Sequence, residues 1–134
     1  MSRDKKDLHP KLVAAYDWTC NKYKELYPSD PQPFLTCTFR SNEEQTSLYA
    51  LGRTQKGKIV TNAQAGQSPH NFNPSFAFDI GFITIAKQLT WDKKYFKKFA
   101  DLITAQFPVV EAGIGWRFVD PPHFELKEWK KLKI

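Results

Sequence analysis

No apolar run in this sequence exceeds about a dozen residues, well short of the ~20 that a membrane-spanning helix needs, so insertion into a membrane is not expected. Nothing apolar follows the charged opening MSRDKKDLHP, so the segment does not read as a secretory signal, and synthesis in a cytoplasm is expected. Cysteine is scarce: Cys20 and Cys37 are the only two, far apart and each within an apolar pattern. That is too few for a disulfide framework. In a reducing compartment they read as small core residues, neither nucleophile nor metal ligand. Repeats, low-complexity tracts and long linkers are missing as well. Residues 1–134 are therefore expected to form one domain, of a size that buries a single core without covalent staples.

Positive charge is what the sequence has in excess. Twenty Lys and Arg against fourteen Asp and Glu give a net charge of +6 and a pI near 9.3, with loose lysine clusters in DKKYFKKF and KEWKKLKI. Such a surface favours a polyanion, whether nucleic acid, a membrane face or an anionic cell wall. Charge alone does not choose among these. The lysine and aromatic mixture in KKYFKKF would suit nucleic acid, but helical spacing turns its aromatics inward and no nucleic-acid motif is present, so no specific nucleic-acid partner is expected.

Residues 10–27 place Leu12, Val13, Tyr16, Cys20, Tyr23 and Tyr27 at helical spacing behind Pro10, a residue suited to a first turn. After the breaker PSDPQP, the stretch FLTCTF (34–39) reads as a strand that delivers Arg40. Ser41 and Glu44 form a capping-box pattern, so a second helix starts at once and Gly52 ends it. Residues 53–75 lack periodicity and read as a long loop, which in a compact domain is usually functional or disordered. FAFDIGFI reads as a strand, a helix follows from Asp92 with Phe96, Phe99, Leu102, Ile103 and Phe107 inward, and PVVEAGIGWRF and HFEL supply short closing strands. Without a regular βαβ rhythm, the expected class is α+β, a small, mainly antiparallel sheet flanked by helices.

Three polar residues fall where the pattern predicts burial: His70 before the FAFDIGFI strand, Asp79 at its centre, and His123 opening HFEL. A buried carboxylate costs several kcal/mol unless it is paired or binds a cation. Two histidines and one carboxylate are the protein ligands of many catalytic zinc sites, which keep a fourth position for water. In DPPHFE, the pair Pro121-Pro122 predicts a polyproline-type backbone of about three residues per turn, which turns Asp120 and His123 to one side. Asp120 would then stand beside the ion as a general base. Glu125, two beyond His123 on the same strand face, competes for that role. His9 has no comparable context and reads as a surface residue.

Taken singly these are weak signals; together they resemble a known family. SPHNFNPSFAFD (68–79) is similar to the Ser-x-His…Ala-x-Asp motif of the zinc D-Ala-D-Ala peptidase superfamily, the M15 peptidases, and DPPHFE to its Asp/Glu-x-x-His motif. FRSNEEQTSLYALGRT (39–54) and VTNAQAGQSPHN (60–71) resemble one branch, the L-alanyl-D-glutamate endopeptidases of phage endolysins and bacterial wall hydrolases. The resemblance implies a D-Ala-D-Ala peptidase/Hedgehog-like fold and one zinc ion held by His70, Asp79 and His123. It implies Asp120 as catalytic base and Arg40 as the group that holds a substrate carboxylate or offsets oxyanion charge. Ser68 and Gln45 match motif positions near the ligands, and Trp116 is either a cleft wall or a core residue. The first His and the Asp are nine apart here, against the more frequent seven, with Asn73-Pro74-Ser75 in the longer connection.

The implied function is hydrolysis of the L-Ala-D-Glu bond of the peptidoglycan stem peptide by a monomeric endolysin. It would be made in the host cytoplasm and reach the periplasm and wall through a phage-encoded pore, for host cell lysis. The alternatives are a D,D-carboxypeptidase or dipeptidase of the same superfamily, and a non-catalytic, zinc-stabilised wall-binding module.

Overall fold

A computed structural model describes residues 1–132; Lys133, the last lysine of the KEWKKLKI cluster, lies outside the described residues. Its core is a layer of two helices on one face of an antiparallel sheet. Helix α1 (Pro10–Leu26) buries Leu12, Ala15, Thr19 and Tyr23, and helix α3 (Lys93–Gln106) buries Phe96, Phe99, Ala100 and Ile103. The expected apolar stripes are thus present. The small residues Ala15 and Ala100, which a search for bulky side chains passes over, complete the contact surface on which helices approach closely.

Five strands form the sheet: β1 (Gln32–Cys37), β2 (Ala77–Ile83), β3 (Leu89–Thr90), β4 (Val110–Ala112) and β5 (His123–Leu126). They run in the order β1-β2-β5-β4, with β3 beside β2, and every pairing is antiparallel. Alternation along β2 explains its central carboxylate. Phe78, Ile80 and Phe82 point into the helical core and are fully buried, so Asp79 belongs to the opposite face. There it stands opposite His123 of β5.

Several boundaries differ from expectation. Strand β1 starts at Gln32, because Pro33 is tolerated on an edge strand. It ends at Cys37, after which Thr38 and Phe39 exchange backbone hydrogen bonds with Ser2 instead (2.8 Å each). PVVEAGIGWRF yields only the three residues of β4 before a 3-10 turn at Gly113–Gly115, and the two-residue strand β3 carried too little pattern to be read. Helix α2 (Asn42–Ala50) has the expected capping box, Ser41 and Glu44 bonding each other's backbone, and Gly52 turns left-handed just past its end. His9 is not a free surface residue: it is half-buried and caps α1, its Nδ1 accepting from the Lys11 amide at 3.2 Å.

The Asp120–His123 segment departs most from expectation. Instead of an extended polyproline stretch it closes as a turn, the His123 amide donating to the Asp120 carbonyl at 3.1 Å. Backbone pairing prevails over the prolines' own preference. The Asp120 amide is held by the Gly113 carbonyl at 2.9 Å, and His123 is already fixed in β5. Any side chain at Gly113 would collide with the Asp120 backbone, so this close approach requires glycine.

Candidate active site

The site lies on the sheet face away from the helices, where β1, β2 and β5 meet the 53–75 loop. Between Leu35 and Cys37 the β1–β2 register slips by one residue, a bulge that re-aims the end of the strand. Arg40 follows, its amide donating to the His70 carbonyl at 2.9 Å. His70 sits in a single 3-10 turn, Pro69–Asn71, capped by Ser68, whose hydroxyl accepts from the His70 amide at 3.2 Å. The motif serine therefore fixes the backbone of the histidine.

Three donor groups converge. His70 Nε2 is 3.2 Å from Asp79 Oδ1, and His123 Nδ1 is 3.0 Å from the same oxygen. Each ring's other nitrogen faces a protein acceptor: His70 Nδ1 lies 2.8 Å from the Thr38 carbonyl and His123 Nε2 2.8 Å from Glu125 Oε1. A carbonyl can only accept, so His70 Nδ1 carries hydrogen, and whenever the ring is neutral its lone pair is on Nε2, the nitrogen that faces Asp79; Glu125 likewise leaves the lone pair of a neutral His123 on Nδ1. This is the tautomer arrangement that a metal ligand needs, and the set of two imidazoles and a carboxylate fits a zinc-like cation with a position to spare.

The electrostatics agree. Burial works against charge on His70, yet the Asp79 carboxylate, aided by Cys37, outweighs it and holds the imidazole up at about 10. Burial likewise opposes charge on His123, and Asp79 and Glu125 raise it to about 9. Asp79 itself is driven well below the usual carboxylate range, burial being overcome by the two histidines. The three groups together stabilise positive charge at their shared centre. Cys37 Sγ also lies within 4.8 Å of ligand atoms of His70 and Asp79, so the thiol expected in the core borders the site. It lies 3.7 Å from His70 Nδ1 and 4.0 Å from Arg40 Nη2.

Around this centre a cavity of about 390 Å³ is lined by Arg40, Ser68, Trp116, Asp120, His123 and Glu125, with loop residues Val60, Thr61 and Ala63 on the far lip. Trp116 tilts over His123 at 5.2 Å between ring centres, which makes it a cleft wall rather than a core residue. The Asp120 carboxyl is held above its ordinary value, by desolvation first, with His123 opposing and Asp79 adding to the rise. Arg40 Nη2 stands 3.9 Å from Asp79 Oδ2. Its Nε is a buried donor with no protein partner among the described residues. All eight residues singled out in the sequence are at or beside one cavity; Glu125 and Cys37 were not assigned to it as hydrogen-bond or thiol neighbours.

Gln45 gains a definite place. Fully buried, it accepts from Arg40 Nη1 at 2.9 Å and donates to the Ala63 carbonyl at 2.7 Å, clamping the arginine and the loop lip to helix α2. Gln45→Ala strands both partners and opens a cavity, so a loss of about 2–3 kcal/mol in unfolding free energy is expected, read by urea titration. A loss under about 0.5 kcal/mol would show that the clamp carries no weight. The longer His70–Asp79 connection stays out of the cleft. Ser75 is bonded between Asp7 and His9 (Ser75 amide to Asp7 carbonyl 2.7 Å, His9 amide to Ser75 carbonyl 2.9 Å), and none of residues 71–76 lines the cavity.

Comparison with known proteins agrees with this geometry. No protein-family model matches the chain. It is 35% identical over 100 residues to the peptidoglycan L-alanyl-D-glutamate endopeptidase CwlK of Bacillus subtilis (strain 168), a match covering 69% of this chain and 59% of CwlK, so the chain spans less than two thirds of that relative. Its fold is similar to that of the Serratia marcescens L-Ala D-Glu endopeptidase ChiX (TM-score 0.68, 21% identity, 98% of this chain and 92% of that one). It is also similar to that of the LD-carboxypeptidase LdcB (TM-score 0.56, 22% identity, 98% and 74%). With the sequence relationship to CwlK and a fold shared along nearly its whole length, the chain belongs to the M15 peptidase family.

Proposed function

We propose that this protein is a zinc-dependent endopeptidase that cleaves the L-Ala-D-Glu bond of the peptidoglycan stem peptide. The observation that carries the reading is the convergence of His70 Nε2 and His123 Nδ1 on one oxygen of Asp79, with their outer nitrogens already engaged. These three residues would hold the ion. Cys37 Sγ lies 3.7 Å from His70 Nδ1, the nitrogen already engaged by Thr38, and within 4.8 Å of a ligand oxygen of Asp79. When bound, zinc supplies Lewis-acid activation of water and of the scissile carbonyl.

The chain's own residues do the rest. Asp120, exposed on the rim of the same cavity, takes the proton of the attacking water and returns it to the leaving amine. Glu125 is engaged by His123 and orients that ligand, which leaves Asp120 as the base. Arg40, fixed by Gln45 and lining the cavity, offers its guanidinium to the carbonyl oxygen as charge builds, or to the free carboxylate of D-Glu. Trp116 and the 60–63 lip shield the reacting atoms from bulk water. The natural setting proposed is host cell lysis by a phage, with the protein acting as a monomer and its net charge of +6 drawing it to anionic envelope polymers.

The test is digestion of purified peptidoglycan by the zinc-loaded protein, with and without chelator, followed by mass spectrometry. New amino termini on D-Glu that vanish with chelator and return on adding zinc are expected. Release of D-Ala with no free amine on D-Glu would overturn the bond assignment, and full activity in chelator would overturn the metal.

A further inference from the structure

Arg53, in the Gly-Arg-Thr that closes the 39–54 segment, does not line the cleft, yet it grips the cleft's far lip. Its Nη1 donates to the carbonyls of Tyr49 (2.7 Å) and Thr61 (3.0 Å), and its Nη2 to Asn62 Oδ1 (3.0 Å). The guanidinium also lies over the Tyr49 ring, 3.8 Å from its centre. No strand falls between α2 and β2, so the lip has no ladder to hold it. Side chains do that instead: Gln45 through the Ala63 carbonyl, and Arg53 through Thr61 and Asn62. The chain path brings these groups within reach. A Cβ at Gly52 would fall 2.7 Å from the Ile59 backbone nitrogen, so the loop leaves α2 and returns past its own start.

One of the three bonds is ordinary. A basic residue just past a helix end bonds a carbonyl that the last turn leaves open, and lysine does so as well as arginine. The other two are not interchangeable. Acceptors on two further residues, together with stacking on Tyr49, require a flat cation with several donors in fixed directions, and an ammonium has neither the plane nor the reach.

What Arg53 holds is the apolar side of the cleft, which Val60 and Ala63 of the lip form with Leu48 of α2. Val60 is still 59% exposed although it lines the cavity, so aliphatic surface is left for whatever fills the cleft to bury. The groups proposed for the chemistry stand on other elements: His70 on its capped turn, Asp79 on β2, His123 on β5 and Asp120 in the turn before it. We infer that Arg53 is a positioning residue for substrate: by latching Thr61 and Asn62 to α2 it holds the apolar lip against the aliphatic part of the stem peptide, and so sets affinity without entering the reaction. The inference rests on the endopeptidase reading for the identity of what is bound.

The test uses the zinc-loaded full chain, with the soluble disaccharide-tetrapeptide of peptidoglycan as substrate. Arg53→Lys keeps the charge and the helix-end bond but not the grip on the lip, and Asn62→Ala removes one acceptor from the other side. Each is expected to raise KM, by about fivefold to tenfold for Arg53→Lys, with kcat within about twofold, the signature of lost ground-state and transition-state binding alike. Zinc affinity should match wild type, and the unfolding midpoint should move by less than about 2 °C. Lys56 and Lys58, exposed on the same loop, are trypsin sites, and nicking there should be faster in both variants, because the lip opens more often. Faster nicking with KM unchanged overturns the inference, since the lip would then be latched but take no part in binding. An Arg53→Lys protein identical to wild type in both readouts reduces Arg53 to a helix cap, and a loss in kcat at unchanged KM overturns the inference as well. All three leave the endopeptidase reading standing. Failure of the wild type to cleave the muropeptide, with or without zinc, overturns both.

Discussion

Asp79→Ala is expected to lose bound zinc and to lower wall hydrolysis by about a thousandfold or more, since a catalytic metal contributes several kcal/mol to transition-state stabilisation. Asp79 is the hub of the site. Both histidines and Arg40 approach it, and its negative charge is what makes two adjacent imidazoles tolerable beside a guanidinium. Without it, His70 and His123 lose the partner that holds them above their ordinary values and return to neutral rings, whereas Arg40 cannot shed its charge. The metal-free variant should therefore still fold, with a cost confined to the arginine. Metal content by mass spectrometry and clearing of purified wall check this together. A variant that keeps one zinc per chain and half its activity would remove Asp79 from the ligand set.

Asp120→Asn is expected to retain zinc and the fold but to lose about a hundredfold to ten-thousandfold in kcat, the range attributable to a positioned general base. Asparagine preserves the shape and cannot take a proton. The informative partner is Glu125→Gln, which removes a charge of the same sign from the same cavity. Glu125 holds His123 Nε2 at 2.8 Å, so its loss should act through the ligand, weakening zinc by about tenfold to a hundredfold while saturating zinc restores most of the rate. If Glu125→Gln stays inactive under saturating zinc and Asp120→Asn does not lose activity, the two roles are reversed.

Where the sequence was informative, its signal had a physical period or a paired partner. Helix α1 and the capping box of α2 were legible because helical spacing and a reciprocal side-chain bond are local. His70, Asp79 and His123 stood out because polar residues interrupt apolar patterns only when something compensates them. The misreadings share another origin. The Asp120–His123 turn and the early end of β1 both depend on backbone partners remote in sequence: Gly113 for Asp120 and Ser2 for Thr38. Propensity cannot register those. Glu125 illustrates the limit at the site itself. Strand alternation put it on the correct face, but only the 2.8 Å approach to His123 distinguishes a ligand's support from a second base.

The lengthened connection between His70 and Asp79 bears on how the chain can be altered. The two proposed ligands are placed by a capped turn and by strand pairing, while the residues between them are moored on the opposite side to Asp7 and His9. The number of residues from the first ligand to the second is therefore not a ruler for the metal site. It is slack, taken up far from the cleft. Asn73 and Pro74, exposed at its tip, mark an insertion port where a targeting peptide or an immobilisation handle could be spliced into the middle of the chain, between two metal ligands, without entering the space where substrate is cut.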